Sequence, residues 1–92
     1  MMKRGIMATP GTDPTEEARR RLAVEINSQA TNRAALEERH GPVWDAVELA
    51  RDFEVLGFAA PLVVVRRRAD QRLGSLLFQH HPRFYFAFEV DP

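Results

Sequence analysis

The chain contains no cysteine. That excludes a disulfide framework, thiolate metal ligands and a thiol nucleophile together, and it fits a reducing compartment. The chain also has no net charge: 13 basic side chains balance 13 acidic ones. The balance holds by halves, with 8 basic and 9 acidic groups up to residue 52 and 5 and 4 after it. A nucleic-acid coat or a polybasic membrane anchor carries a basic excess, so any basic patch here is local. No apolar run approaches the ~18 residues of a membrane span. Met1-Met2-Lys3-Arg4 is basic, but residues 5–10 are too short and too polar for a signal-peptide core, so a cytoplasmic location with no membrane partner is expected. The 5 glycines are scattered and form no phosphate loop. Ser75 follows Gly74 but lacks the flanking pattern of a nucleophile elbow.

What is present is enough for one domain of 92 residues. Residues 1–12, with Gly5, Pro10 and Gly11 and few apolar side chains, read as a disordered lead-in. Residues 13–92 read as a single small α+β domain. Asp13-Pro14-Thr15-Glu16 is a helix start with a capping box. Ala18, Leu22 and Ile26 then recur every four residues along a narrow, Ala-rich stripe. The polar Asn27-Ser28 and Thr31-Asn32 leave open whether residues 13–40 form one bent helix or two. Gly41-Pro42 ends the helical region. Asp45-Ala46-Val47-Glu48 is a second capping box opening a short helix, with Trp44 placed to staple against it.

From Glu54 the period changes. Leu62-Val63-Val64-Val65, after Pro61, reads as a strand. A turn centred on Asp70-Gln71 leads to a second strand at Ser75–Gln79. After His80-His81-Pro82, a third runs from Arg83 to Val90 with strict alternation. The expected architecture is N-terminal helices packed on a three-stranded antiparallel meander, or a four-stranded one if residues 53–58 add an edge strand broken at Gly57. This register sets Val65 opposite Leu76 and Phe78 opposite Phe84. It gathers Val63, Val65, Leu76, Phe78, Phe84, Phe86 and Phe88 on a core face. The other face then carries Leu62, Val64, Leu77 and Tyr85 in adjacent positions. An N-terminal helix covering them is one reading; a homodimer or protein-partner interface with an aliphatic centre is the other.

Candidate chemistry is sparse. Arg66, Arg67, Arg68, Arg72 and Arg83, with Tyr85, form the strongest local cluster of positive charge and aromatic surface, which single-strand binders use to contact phosphates and stack a base. The same arginines also suit a charged strand end that keeps a sheet edge soluble. His80-His81 is a poor chelate, since neighbours in an extended segment point opposite ways, and His40 adds no recognised ligand spacing. Asp45 is accounted for as a cap, and Asp52 and Glu54 as partners for the arginines. No catalytic residue, metal ligand or cofactor is assigned, and an enzyme is the least favoured class. A winged helix-turn-helix is the alternative fold, with residues 58–68 as the recognition helix, although Pro61 and Val63-Val64-Val65 are poor helix material.

The segments Val43-Trp44-Asp45, Arg51-Asp52-Phe53-Glu54-Val55, Gly57-Phe58-Ala59-Ala60-Pro61 and Val63-Val64-Val65-Arg66-Arg67 resemble a group of short bacterial proteins with no attached activity. Gly74-Ser75-Leu76, Phe78-Gln79-His80 and Pro82-Arg83-Phe84-Tyr85-Phe86 extend the likeness over residues 31–88. Asp70-Gln71 stands where that group has the hairpin-favouring Asp-Gly. The resemblance implies a small free-standing domain and supplies no chemistry. The function expected from the sequence is a small binding or interaction protein, with nucleic-acid binding as the alternative.

Overall fold

The computed structural model describes residues 15–92. The expected lead-in and the Asp13-Pro14 helix start lie outside the described residues. Helix α1 spans Glu16–Ser28 and helix α2 spans Arg33–His40, so the polar Asn27–Asn32 stretch separates two helices. Asn32 caps α2, its side chain accepting from the Ala35 N–H at 2.9 Å. Gly41, at φ 81°, closes it. The first helix is held lightly. Its ion pairs Glu16–Arg20 and Glu17–Arg21 are solvent-exposed, each worth only about 0.3–0.5 kcal/mol. It has no buried residue and reaches the domain through Ile26 and Asn27.

Strand β1 is the pair Val43–Trp44, and helix α3 spans Ala46–Asp52. The capping box at its start is complete: Asp45 accepts from the Glu48 N–H, and Glu48 accepts from the Asp45 N–H. Four strands follow, β2 Phe53–Ala59, β3 Leu62–Arg67, β4 Arg72–Gln79 and β5 Phe84–Val90. They form one antiparallel sheet in the order β1-β5-β4-β3-β2. The α+β class is thus as expected, but the sheet has five strands, neither three nor four. The extra two are residues 53–59, which form a full edge strand, and Val43–Trp44, too short to carry a period. Residues 58–68 hold the end of β2, a turn and β3, so the helix-turn-helix alternative is overturned.

The register also differs from the expected one. Between β3 and β4 the pairing is shifted by two residues, Val65 lying opposite Gly74 and Val63 opposite Leu76. An even shift leaves each side chain on its expected face. Between β4 and β5 the shift is one: Phe78 lies opposite Tyr85, and Gln79 opposite Phe84. An odd shift exchanges faces, so Tyr85 goes into the Phe78 cluster and Phe84 and Phe86 go to the other side. The cause is Arg83, which joins the turn. Its guanidinium lies 4.9 Å from the Phe78 ring centre and donates to the Tyr85 hydroxyl at 3.1 Å.

A bulge in β5 then restores part of the expected pattern. Ser75 pairs with Glu89 and Leu77 with Phe86, so two steps on β4 match three on β5. Ala87, at φ 58°, is the extra residue. It keeps the face of Phe86 and sends Phe88 back to that of Tyr85. Two clusters result, one on each face. Leu49 of α3 joins Phe53, Val63, Val65, Leu76, Phe78 and Tyr85 on the first. Leu36 of α2 joins Val43 and Phe86 on the second, with Ile26 and Leu77 against them.

Candidate functional site

The sheet is covered on both faces but not along its whole width. Helices α1 and α2 lie over the β1-β5-β4 half of the second face, and β2 forms the opposite, uncovered edge. An edge strand presents unpaired backbone groups, and proteins guard it with charge, proline or a β-bulge. Strand β2 has one charged residue, Glu54, a bulge at Leu56 and no proline. It exposes Val55, Leu56 and Phe58, the last at 58% of its surface. The register places Val55 and Phe58 on the first face, opposite Val65 and Val63. A shift between Val55 and Gly57 leaves Leu56 as a bulge residue, re-aimed from the regular alternation. On the second face, Val64 is exposed on the neighbouring strand β3, and Leu73 is exposed one strand further in, opposite Arg66. An apolar strip therefore wraps around the β2 edge from one face to the other.

The sequence-derived interface divides across this geometry. Leu62 and Val64 lie on the second face next to the open edge, where Val64 is exposed and Leu62 half-buried. Leu77 is on that face too, paired with Leu62, but packs against the Leu36–Val43–Phe86 cluster beneath the helices. Tyr85 is on the opposite face and only 4% exposed. The four do not form one surface. Val55, Leu56 and Phe58 are the exposed apolar side chains of the strand that pairs with Leu62 and Val64. Their signal was legible: three large apolar residues within four positions of a strand expected at an edge.

The arginines are separated as well. Arg66 pairs across the strands with Glu54 at 2.9 Å. Arg67 makes a two-pronged contact with Asp70, at 2.6 and 3.0 Å, and lies over the Phe88 ring. Arg68 donates to the Ala50 carbonyl at 3.1 Å. Arg72 is exposed at the start of β4, and Arg83 stands beyond its end. Seven steps along a strand at about 3.4 Å each put the two ends about 24 Å apart. Tyr85, the expected stacking partner, is buried. No single basic and aromatic surface is assembled from these residues.

A shallow cleft of about 480 Å³ lies between Trp44, Arg51, Asp52, Arg67 and Arg68. Its charges are matched internally. Asp52 accepts from Arg51 at 2.8 and 2.9 Å and from the Trp44 indole N–H at 3.0 Å. The Arg51 guanidinium, followed by the indole, holds the Asp52 carboxyl at about 2. Asp70 is held at about 2 as well, first by Arg67. Carboxylates this acidic stay ionised and cannot take up a proton near neutrality. The histidines do not converge either. His40 stacks on Phe86 with ring centres 4.6 Å apart, and His80 sits edge-on to Phe78. Among the described residues, no three His, Asp or Glu side chains group as a metal site, and no helix is long and apolar enough to cross a membrane.

No protein family, curated protein or solved structure matches the chain. Among the described residues, the β2 edge gathers three exposed apolar side chains, Val55, Leu56 and Phe58, within four positions. It keeps apolar side chains in water where an ordinary solvated edge would hold charge.

Proposed function

We propose that this protein is a small interaction module that binds another polypeptide along its β2 edge. The observation that carries this reading is the strip formed by Val55, Leu56 and Phe58, continued on β3 by Val64. Exposed apolar side chains that are contiguous rather than scattered mark contact surfaces. The strip lies on a sheet edge, where unpaired N–H and C=O groups add to the attraction for an extended partner. Phe58 is the expected anchor, since large aromatic side chains dominate interface energetics.

Nucleic-acid binding has less support. Arg66 and Arg67 are already paired with Glu54 and Asp70. Phosphate contacts would have to displace those carboxylates, and neutralising phosphates gives binding that weakens steeply with salt.

The test is site-directed photocrosslinking in cells that express the full chain. A benzophenone amino acid at Phe58 is compared with one at Val47, which is 79% exposed on α3, away from the strip. A discrete adduct from position 58 that is absent from position 47 is expected. Equal, diffuse labelling from both positions would refute the proposal.

A further inference from the structure

We infer that the cleft between α1 and α2 binds a free α-amino acid with a large apolar side chain. The cleft lies over β4 and β5, away from the β2 edge, and the inference does not rest on the reading of that edge.

Shape and size come first. Leu36 and Phe86 are buried and Leu77 half-buried along the cleft, and α1 adds Leu22 and Ile26. The volume is about 300 Å³, at the lower end of small-molecule sites. At about 30 Å³ for a water-sized group, that is room for about ten non-hydrogen atoms. A free amino acid fits this limit, and a folded peptide or a long acyl chain does not.

The light hold on α1 is the second argument. The helix buries no residue, although Leu22 and Ile26 both line the cleft, and Leu22 stays 38% exposed. An apolar side chain in the cleft would touch α1 on one side and the Leu36–Phe86 cluster on the other. It would complete packing that the chain alone leaves open.

Charge selects the class of ligand. Glu25 of α1 and Arg39 of α2 both line the cleft. Among the described residues neither has an ion-pair partner, and they do not pair with each other. Arg21, one turn before Glu25, is taken by Glu17, and Glu37 is taken by Arg33. A fatty acid would match Arg39 and leave Glu25 unmatched, and an alkylamine would do the reverse. An α-amino acid carries both charges on one carbon. Its ammonium suits Glu25, and its carboxylate suits a two-pronged contact with the Arg39 guanidinium.

The test is a titration of the isotope-labelled full chain with L-leucine, followed by amide NMR shifts. A ligand of this size should bind with a Kd of about 0.1–1 mM. The shifts should saturate and centre on Ile26, Leu36, Leu77 and Phe86. Amide exchange in α1 should slow by about tenfold at ten times the Kd. L-alanine has the charges without the side chain, isocaproate lacks the ammonium and isoamylamine lacks the carboxylate. Each should bind at least about tenfold more weakly than L-leucine.

Glu25 and Arg39 are exposed, so their variants are expected to fold, and circular dichroism checks this. Glu25→Gln should weaken L-leucine about tenfold and leave isocaproate unchanged, whereas Arg39→Gln should weaken both. The absence of saturable shifts at the cleft with L-leucine would overturn the inference, and so would isocaproate or L-alanine binding as tightly as L-leucine. These comparisons use the native chain, so they decide the matter even where a variant fails to fold.

Discussion

Gln71 and Gly74 stand three residues apart in the β3–β4 hairpin and face opposite problems. Gln71 holds φ 60°, where a side chain clashes with its own backbone at a cost of about 1–2 kcal/mol. Gln71→Gly should raise stability by about 0.5–1 kcal/mol in urea denaturation, net of the entropy glycine loses on folding. Gly74 has the reverse constraint. A Cβ there would lie 2.4 Å from the Glu89 carbonyl oxygen and 2.7 Å from the Phe88 ring. The bulge at Ala87 lays Phe88 across Gly74, and no side chain can share that space. Gly74→Ala should cost at least about 1–3 kcal/mol in the same assay, since both neighbours are fixed by pairing and packing. Asp52 supplies a pH dependence. Its folded value of about 2 is below the unfolded value of about 3.9. The unfolded chain therefore takes up the proton first on acidification. The stabilisation is complete above about pH 4 and disappears as pH falls through about 2. Thermal melts at pH 2–5, followed by the single tryptophan, should show Asp52→Asn flattening this decline. Asp70, held low by Arg67, accounts for part of what remains.

At the scale of elements, Gln79 joins the helical half to the sheet. It is 1% exposed at the end of β4. Its side chain accepts from the Thr31 N–H and donates to the carbonyls of Thr31 and Pro82. Gln79→Leu keeps the volume and strands those backbone groups, at a cost of about 2–4 kcal/mol from two or more unmade buried hydrogen bonds. Hydrogen exchange should quicken first in α1 and in the segment before α2. None of this was legible in sequence, where Gln79 read as an ordinary strand residue. The capping box at Asp45 was legible because its donors and acceptors sit within one turn. Helical structure before Gly41 and the β3 and β4 faces were legible from local period, while the break into two helices was left open. Leu77 kept its expected face and is covered there by the helical side, whereas Tyr85 changed face. The face of a strand depends on turn length to one residue, and Arg83 was counted in the strand when its contacts hold it in the turn. The alternation of Phe84, Phe86 and Phe88 reinforced that error, because a bulge is invisible to a period of two.

For the molecule as a whole, the division of labour between faces follows from these details. One face of the sheet is closed by α3, which carries the chain from β1 at one edge to β2 at the other. The second face is closed by α2 and more loosely by α1. Arg33 ties that side to α3, reaching Glu48 at 2.8 Å and the Val43 carbonyl at 2.7 Å. Glu48 is held below its ordinary range, first by the Asp45 backbone and then by Arg33. Among the described residues, the β2 edge is where three exposed apolar side chains, Val55, Leu56 and Phe58, fall together on one strand. Of the four residues expected at an interface, Leu62 and Val64 border that edge, Leu77 keeps its face but packs beneath the helices, and Tyr85 is turned inward by the register.

The pairing of β1 with β5 also has a consequence in time. Val43 lies opposite Phe86, so an early segment finds its place only beside the last strand. Ribosomal synthesis delivers Leu36 and Val43 some forty residues before the surface that buries them. The hairpins β2–β3, β3–β4 and β4–β5 link sequence neighbours and can form first, whereas the β1–β5 closure brings together distant positions and is slow. In refolding experiments, Val43→Ala should therefore speed unfolding while leaving the folding rate nearly unchanged. A nascent chain halted before Phe84 should bind hydrophobic dyes and holdase chaperones, and lose both on the addition of seven residues, β5.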